Sequence, residues 1–156
     1  MKPSDLVRGP TGHPSHPPFT GATIGAFVTA TSLGVASAGG IAPAQTAVGW
    51  WLALLVGLLA TGPAAITGLA DWIRIDRRSP LWRTGTAHLV TMGLAALSFL
   101  FAATIGYNGY VRTVVTPTAL GLTLVGLGLL VCGGWLGGSM VFVEGMRVAR
   151  DSREDG

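Results

Sequence analysis

Residues 71–83 read DWIRIDRRSPLWR, and this stretch decides the fold. Arg74, Arg77, Arg78 and Arg83 crowd into one short connection between two long apolar runs, residues 46–70 and 86–106. Neither run contains Asp, Glu, Lys or Arg. A hydrocarbon core is crossed by about 20 helical residues, so each run is long enough to span it. The segment therefore reads as a charged loop joining two membrane helices.

Working outward, residues 19–40 and 118–143 form two further runs of the same kind. The connections GGIAPAQ, residues 39–45, and YNGYVRTVVTP, residues 107–117, carry almost no charge. The expected fold is all-α: an up-down bundle of four transmembrane helices, with an N-terminal segment, residues 1–18, and a tail, residues 144–156. Pro63 inside the second span predicts a kink, because proline lacks the amide donor, and membrane helices tolerate such a break.

The basic residues orient the bundle. Lys2, Arg8, Arg74, Arg77, Arg78, Arg83, Arg147, Arg150 and Arg153 fall on one side and only Arg112 on the other. The positive-inside rule then predicts that both termini and the arginine loop are cytoplasmic. Trp50, Trp51, Trp72, Trp82, Tyr107 and Tyr110 stand near span ends, where interfacial anchors belong. Lys2 and Arg8 ahead of an apolar run that reaches Ala36-Ser37-Ala38 also resemble a cleavable signal. The long leader with HPSHPP speaks against that, and the first span is expected to remain.

Composition agrees. Of 156 residues 49% are apolar and 11% charged, against about a quarter charged in a soluble domain; the mean hydropathy is +0.56. The 24 glycines are scattered through the apolar runs, as suits membrane helices whose backbones approach closely. The run GGWLGG, residues 133–138, is expected to sit against another helix, Gly134 and Gly138 included. Cys132 is the single cysteine, which excludes an internal disulfide and a cysteine-built zinc or iron–sulfur site. The net charge of +3 does not indicate nucleic acid, because the basic residues lie in loops with no aromatic interleaving or recognition helix.

Chemistry gathers at the arginine end. GHPSHPPF, residues 12–19, places His13 and His16 before the first span, Asp71 closes the second, His88 opens the third and Glu144 follows the fourth. The proline after His16 suggests an imidazole held just ahead of the first helix. A histidine inside a membrane helix is a functional-site candidate. His16 and His88 can supply nitrogens to a metal or a b-type haem, with Asp71 orienting one ring. The plainer reading is a hydrogen-bonded clasp of the same three residues. Asp71 is expected to pair with an arginine of its loop or with His88, and Glu144 with Arg147, three residues along the helix. No hydrolase elbow, phosphate loop, zinc-protease helix or carboxylate pair appears, so no enzyme is expected. A transporter would show internal repeats or paired broken helices, whereas only Pro63 interrupts a span, and this length would require an oligomer.

GHPSHPPF before the first span, TGLADW ending the second, TAHLVTM opening the third and the closing GGWLGGSMVFVEGMRV together resemble a bacterial membrane family, domain of unknown function twenty-two thirty-one. The resemblance covers residues 12–148 and implies a four-helix membrane domain in the bacterial inner membrane. Some members carry a Rieske iron–sulfur module, so it also implies a redox partner of that kind. The matching positions are His16, Asp71, His88, Gly137, Gly138 and Gly145. After Val148 only ARDSREDG follows, without Rieske ligands. The family brings no activity with it. The expected role is an accessory or redox-associated membrane subunit, and the alternative is a structural or assembly subunit without cofactor.

Topology is testable directly. A reporter fused within residues 71–83, or a cysteine placed there, is expected to report the cytoplasm; a signal from the opposite side would reverse the arrangement.

Overall fold

The computed structural model describes residues 14–148, together with Val7 and Gly9. His13 and the basic residues Lys2, Arg8, Arg150 and Arg153 lie outside the described residues. Four long helices follow one another: α1 (His16–Ala38), α2 (Pro43–Trp72), α3 (Pro80–Val111) and α4 (Pro117–Phe142). Each is long and apolar enough to cross a membrane, and the described residues contain no strand.

Proline starts every helix, standing in the first or second helical position of all four. Its missing amide would lack a partner there anyway, and its fixed φ suits the first turn. Ser79 and Thr116 then cap α3 and α4 by accepting from the amides of Trp82 and Ala119. The second and third helices overrun their apolar runs at both ends, α3 most of all. Hydropathy marks only the lipid-immersed part, while the backbone ladder continues to the caps. His16 is thus the first residue of α1 rather than a residue ahead of it. α2 continues as a single helix through Pro63.

The helices pair into two hairpins, α1 packed closely on α2 and α3 on α4, with lighter contacts between α2 and α3 and between α1 and α4. Leu59, Val131 and Trp135 point outward, the first of these 78% exposed. In a membrane that apolar surface faces lipid, and what drives assembly is close packing.

Inside, the bundle is built in layers. At mid-height the Phe27 and Phe99 rings stack with centroids 3.8 Å apart. Phe27 lies over Gly57, where an added Cβ would come within 2.5 Å of the ring, and Phe99 lies over Gly126, where the figure is 2.9 Å. Nearer the uncharged loops Trp50 fills the centre, fully buried. Its indole presses on Gly34 and on Gly106 and donates to Thr123 Oγ1 at 3.2 Å.

These layers expose an internal duplication. His16, Phe27, Ala30 and Gly34 of α1 recur as His88, Phe99, Ala102 and Gly106 of α3, a constant step of 72 residues. LVGL, residues 55–58 of α2, recurs at 124–127 of α4, and Gly68 recurs as Gly137, a step of 69. Phe27 stacks on its own counterpart, which is what a two-fold relation between the hairpins requires at its axis. The two steps differ by three because α2 runs further than α4 before reaching the matching LVGL, so that Gly34 and Leu55 are 21 residues apart and Gly106 and Leu124 are 18. The duplication is hidden in the sequence because few identities survive between the two halves.

The glycine run near the end of α4 divides. Gly133 lies against Met92 and Gly137 against His88, whereas nothing stands within 4 Å of an added Cβ at Gly134, and at Gly138 only Phe142 of the same helix does. This corrects the expectation for Gly134 and Gly138. Adjacent helical positions differ by about 100°, so a doubled small-xxx-small pattern has only one inward face. Gly126→Leu should overpack the Phe99 site and cost about 1–3 kcal/mol, read as a lower Tm in detergent. Gly134→Leu should stay within about 0.5 kcal/mol of the parent.

Candidate functional site

Three helical turns from the phenylalanine pair, at the arginine-loop end, stand His16 and His88. Eleven residues separate His16 from Phe27 and His88 from Phe99. At 3.6 residues per turn this is within about 20° of whole turns and about 16 Å along the axis. Both imidazoles therefore leave their helices on the face that carries the axial phenylalanines.

Each ring is held the same way. His88 Nδ1 is 2.8 Å from the carbonyl oxygen of Gly133, and His16 Nδ1 is 3.0 Å from that of Ala64. Ala64 and Gly133 are themselves counterparts in the duplication. The edge of each ring rests on a glycine: an added Cβ would come within 2.8 Å of His16 Cε1 at Gly68, and within 3.1 Å of His88 Cε1 at Gly137. Any larger residue would push the ring off its carbonyl.

This geometry fixes the tautomer. A carbonyl only accepts, so Nδ1 carries the proton of the neutral ring and Nε2 carries the lone pair. Around His16, Thr67 donates to Pro63 O at 2.8 Å and stands 3.2 Å from Nδ1 as a second acceptor. Thr20 Oγ1 lies 3.3 Å from His16 Nε2. His88 Nε2 has no hydrogen-bond partner among the described residues.

Asp71 is placed differently from expectation. It is buried, 6% exposed, and accepts from Arg147 Nη2 at 2.8 Å. Neither imidazole is hydrogen-bonded to it, and backbone carbonyls take the orienting role expected of the carboxylate. Its arginine comes from beyond α4 rather than from its own loop, because the chain turns back there. Gly145 and Arg147 take φ of 68° and 59°, and the Met146 amide donates to Met140 O at 2.9 Å. Glu144 instead of pairing with Arg147 accepts from Thr84 Oγ1 at 2.6 Å. Its other carboxylate oxygen is buried without a partner. The described residues hold no cluster of three His, Cys, Asp or Glu arranged for a metal ion.

The site is thus two imidazoles with like tautomers, and the Asp71–Arg147 pair stands at the same end of the bundle. Sequence reasoning missed Ala64, Gly68, Gly133 and Thr67 as its supports. The signal that could have found most of them is the pair of steps, 72 residues from His16 to His88 and 69 from Gly68 to Gly137, which also relates Ala64 to Gly133.

Likeness to other proteins agrees with the fold. The family model described as predicted membrane protein (DUF2231) matches residues 12–150. The chain belongs to that family. No curated protein and no solved structure matches the chain. Membership in DUF2231 places the chain among membrane proteins of unknown function.

The Asp71–Arg147 pair ties the segment after α4 to the end of α2. Arg147→Met should remove a charged hydrogen bond to a buried carboxylate, costing about 1–3 kcal/mol. The expected readout is a Tm several degrees lower in detergent, with helical content by circular dichroism unchanged.

Proposed function

We propose that the protein is an accessory subunit of a redox assembly in the bacterial cytoplasmic membrane. Its contribution is the imidazole site at the arginine-loop end, which the positive-inside rule puts on the cytoplasmic side. One observation carries this reading: His88 donates from Nδ1 to Gly133 O, which leaves Nε2 as a lone-pair donor with no protein partner among the described residues. A neutral imidazole locked by a hydrogen bond at its other nitrogen is how proteins present a metal ligand. A b-type haem or a bare transition-metal ion uses the same donor. The protein supplies a held centre rather than catalysis, and its partner is an electron carrier such as a Rieske protein.

A second reading, a structural or assembly subunit without cofactor, is favoured by one fact. Each imidazole bridges the two helices of its own hairpin, so it would serve as a clasp even with nothing bound. The visible spectrum and metal content of protein purified from its native membrane separate the two. The redox reading expects a Soret band or stoichiometric metal, lost in His88→Ala. Colourless, metal-free protein in which His88→Ala only lowers Tm would establish the clasp.

A further inference from the structure

Trp51 stands in the seam between α2 and α3, toward the uncharged loops. Its indole donates to Ala103 O on α3 at 2.9 Å and packs on Tyr107 and Tyr110, with ring centroids 5.6 and 4.4 Å away. A ring system wedged between two helices holds their backbones apart, and the seam is open on both sides of it. One groove, of about 360 Å³, runs from Trp51 and Tyr107 past Leu55 and Thr104 to Leu58 and Leu100. Another, of about 400 Å³, lies nearer the helix ends, between Ala44, Gln45 and Val48 of α2 and Thr113 just beyond α3. Both have the size of small-molecule sites.

The two grooves are in line. Residues 44, 48, 51, 55 and 58 recur at intervals of three and four, so they share one face of α2. From Ala44 to Leu58 that face rises about 21 Å. One lipid monolayer has the same depth, half of the roughly 40–45 Å that a bilayer measures with its headgroups. The upper end holds the polar side chains of Gln45 and Thr113. The lower end stops at Leu58 and Leu100, next in sequence to Gly57 and Phe99 of the mid-height layer.

Charge follows the same order. Arg112 adjoins Thr113 and is the single basic residue of connections 39–45 and 107–117, which contain no Asp or Glu. Its guanidinium makes no ion pair among the described residues. The phenols of Tyr107 and Tyr110, within two turns of Arg112, donate to no group among the described residues. Guanidinium and hydroxyl donors suit a phosphate.

We infer that the α2–α3 seam binds one phospholipid of the leaflet at the uncharged-loop end, its phosphate on Arg112 and an acyl chain laid past Trp51 to Leu58. Membrane helices meet through small residues, whereas leucine and aromatic side chains wall the groove below Trp51; a flexible chain fills such a space and a partner helix does not. The duplication shows that the aromatic wedge belongs to this seam alone. On α4 and α1 the counterparts of Trp51, Tyr107 and Tyr110 are Leu120, Val35 and Ala38. Leu120 reaches within 3.3 Å of an added Cβ at Gly34, so the matching place is filled by direct helix contact.

The test uses the full-length protein, delipidated in detergent and titrated with dioleoylphosphatidylglycerol, with bound lipid counted by native mass spectrometry. One lipid is expected to be retained. Thr104→Trp and Leu100→Trp each put a ring into the groove from an exposed position, and both should abolish retention while keeping helical content by circular dichroism. Val131→Trp adds bulk to an outward site on α4, 65% exposed, and should retain the lipid. Arg112→Gln, at the surface and outside the packed layers, should weaken binding about ten-fold through loss of one charged contact. Glycerol 1-phosphate, which has the phosphate and no tails, should not compete. Retention in a folded groove variant, equal loss in Val131→Trp, or unchanged affinity in Arg112→Gln would overturn the site. Competition by glycerol 1-phosphate would overturn it too, leaving a bare phosphate contact. A dimer that Thr104→Trp dissociates would give the seam to a second copy of the chain instead.

Discussion

The stack of Phe27 on Phe99 over Gly57 and Gly126 is the contact on which the rest of the bundle depends. Lipid is as apolar as leucine, so burying apolar surface gives these helices little reason to associate. What remains is dispersion between closely fitted atoms, and that needs backbones near enough for a ring to lie on a helix. Glycine at 57 and 126 allows the approach, and aromatic rings supply contact area with few torsions to freeze. Offset or stacked ring pairs add about 0.5–1.5 kcal/mol beyond the area they bury. Trp50 repeats the device nearer the uncharged loops, its indole against Gly34 and Gly106 and its N–H satisfied by Thr123.

The imidazoles are the third use of the same device. At the arginine-loop end a ring again lies on a glycine of the neighbouring helix, His16 on Gly68 and His88 on Gly137. Here the ring is polar, and an unpaired ring N–H in a membrane interior would be expensive. The Ala64 and Gly133 carbonyls answer that cost. One nitrogen of each ring is thereby spent on structure; the other stands by Thr20 Oγ1 in His16 and meets no hydrogen-bond partner among the described residues in His88. The contacts make each imidazole a clasp between the two helices of its hairpin.

Much of this fold is legible in the residues. The four spans follow from uninterrupted apolar length, and the helix starts from Pro17, Pro43, Pro80 and Pro117, whose missing amides belong in a first turn. That His16, His88 and Asp71 gather at one end follows from up-down connectivity alone. Three things were not legible, each for a physical reason. Which glycines pack depends on helix rotation, and Gly133 and Gly134 look alike until a neighbour is placed. Arg147 reaches Asp71 because the chain turns back at Gly145 with positive φ, and a charge count does not encode that turn. The duplication was obscured because lipid-facing positions accept many apolar residues, leaving few identities outside the layers where rings meet glycines.

Where the halves differ, they differ most in polarity at the imidazole end. Thr20, Thr67 and Asp71 in the first half answer to Met92, Leu136 and Met140 in the second. The polar set has a structural use, since Thr67 shares the His16 N–H with Ala64 and Asp71 anchors Arg147. The methionine set has another, since thioethers are polarizable and fill irregular gaps where two helices meet. The departure from two-fold symmetry is not confined to that end, since Trp50 and Leu54 of the first half answer to Ala119 and Thr123 of the second. A bundle that needed only to pack could have used either set twice.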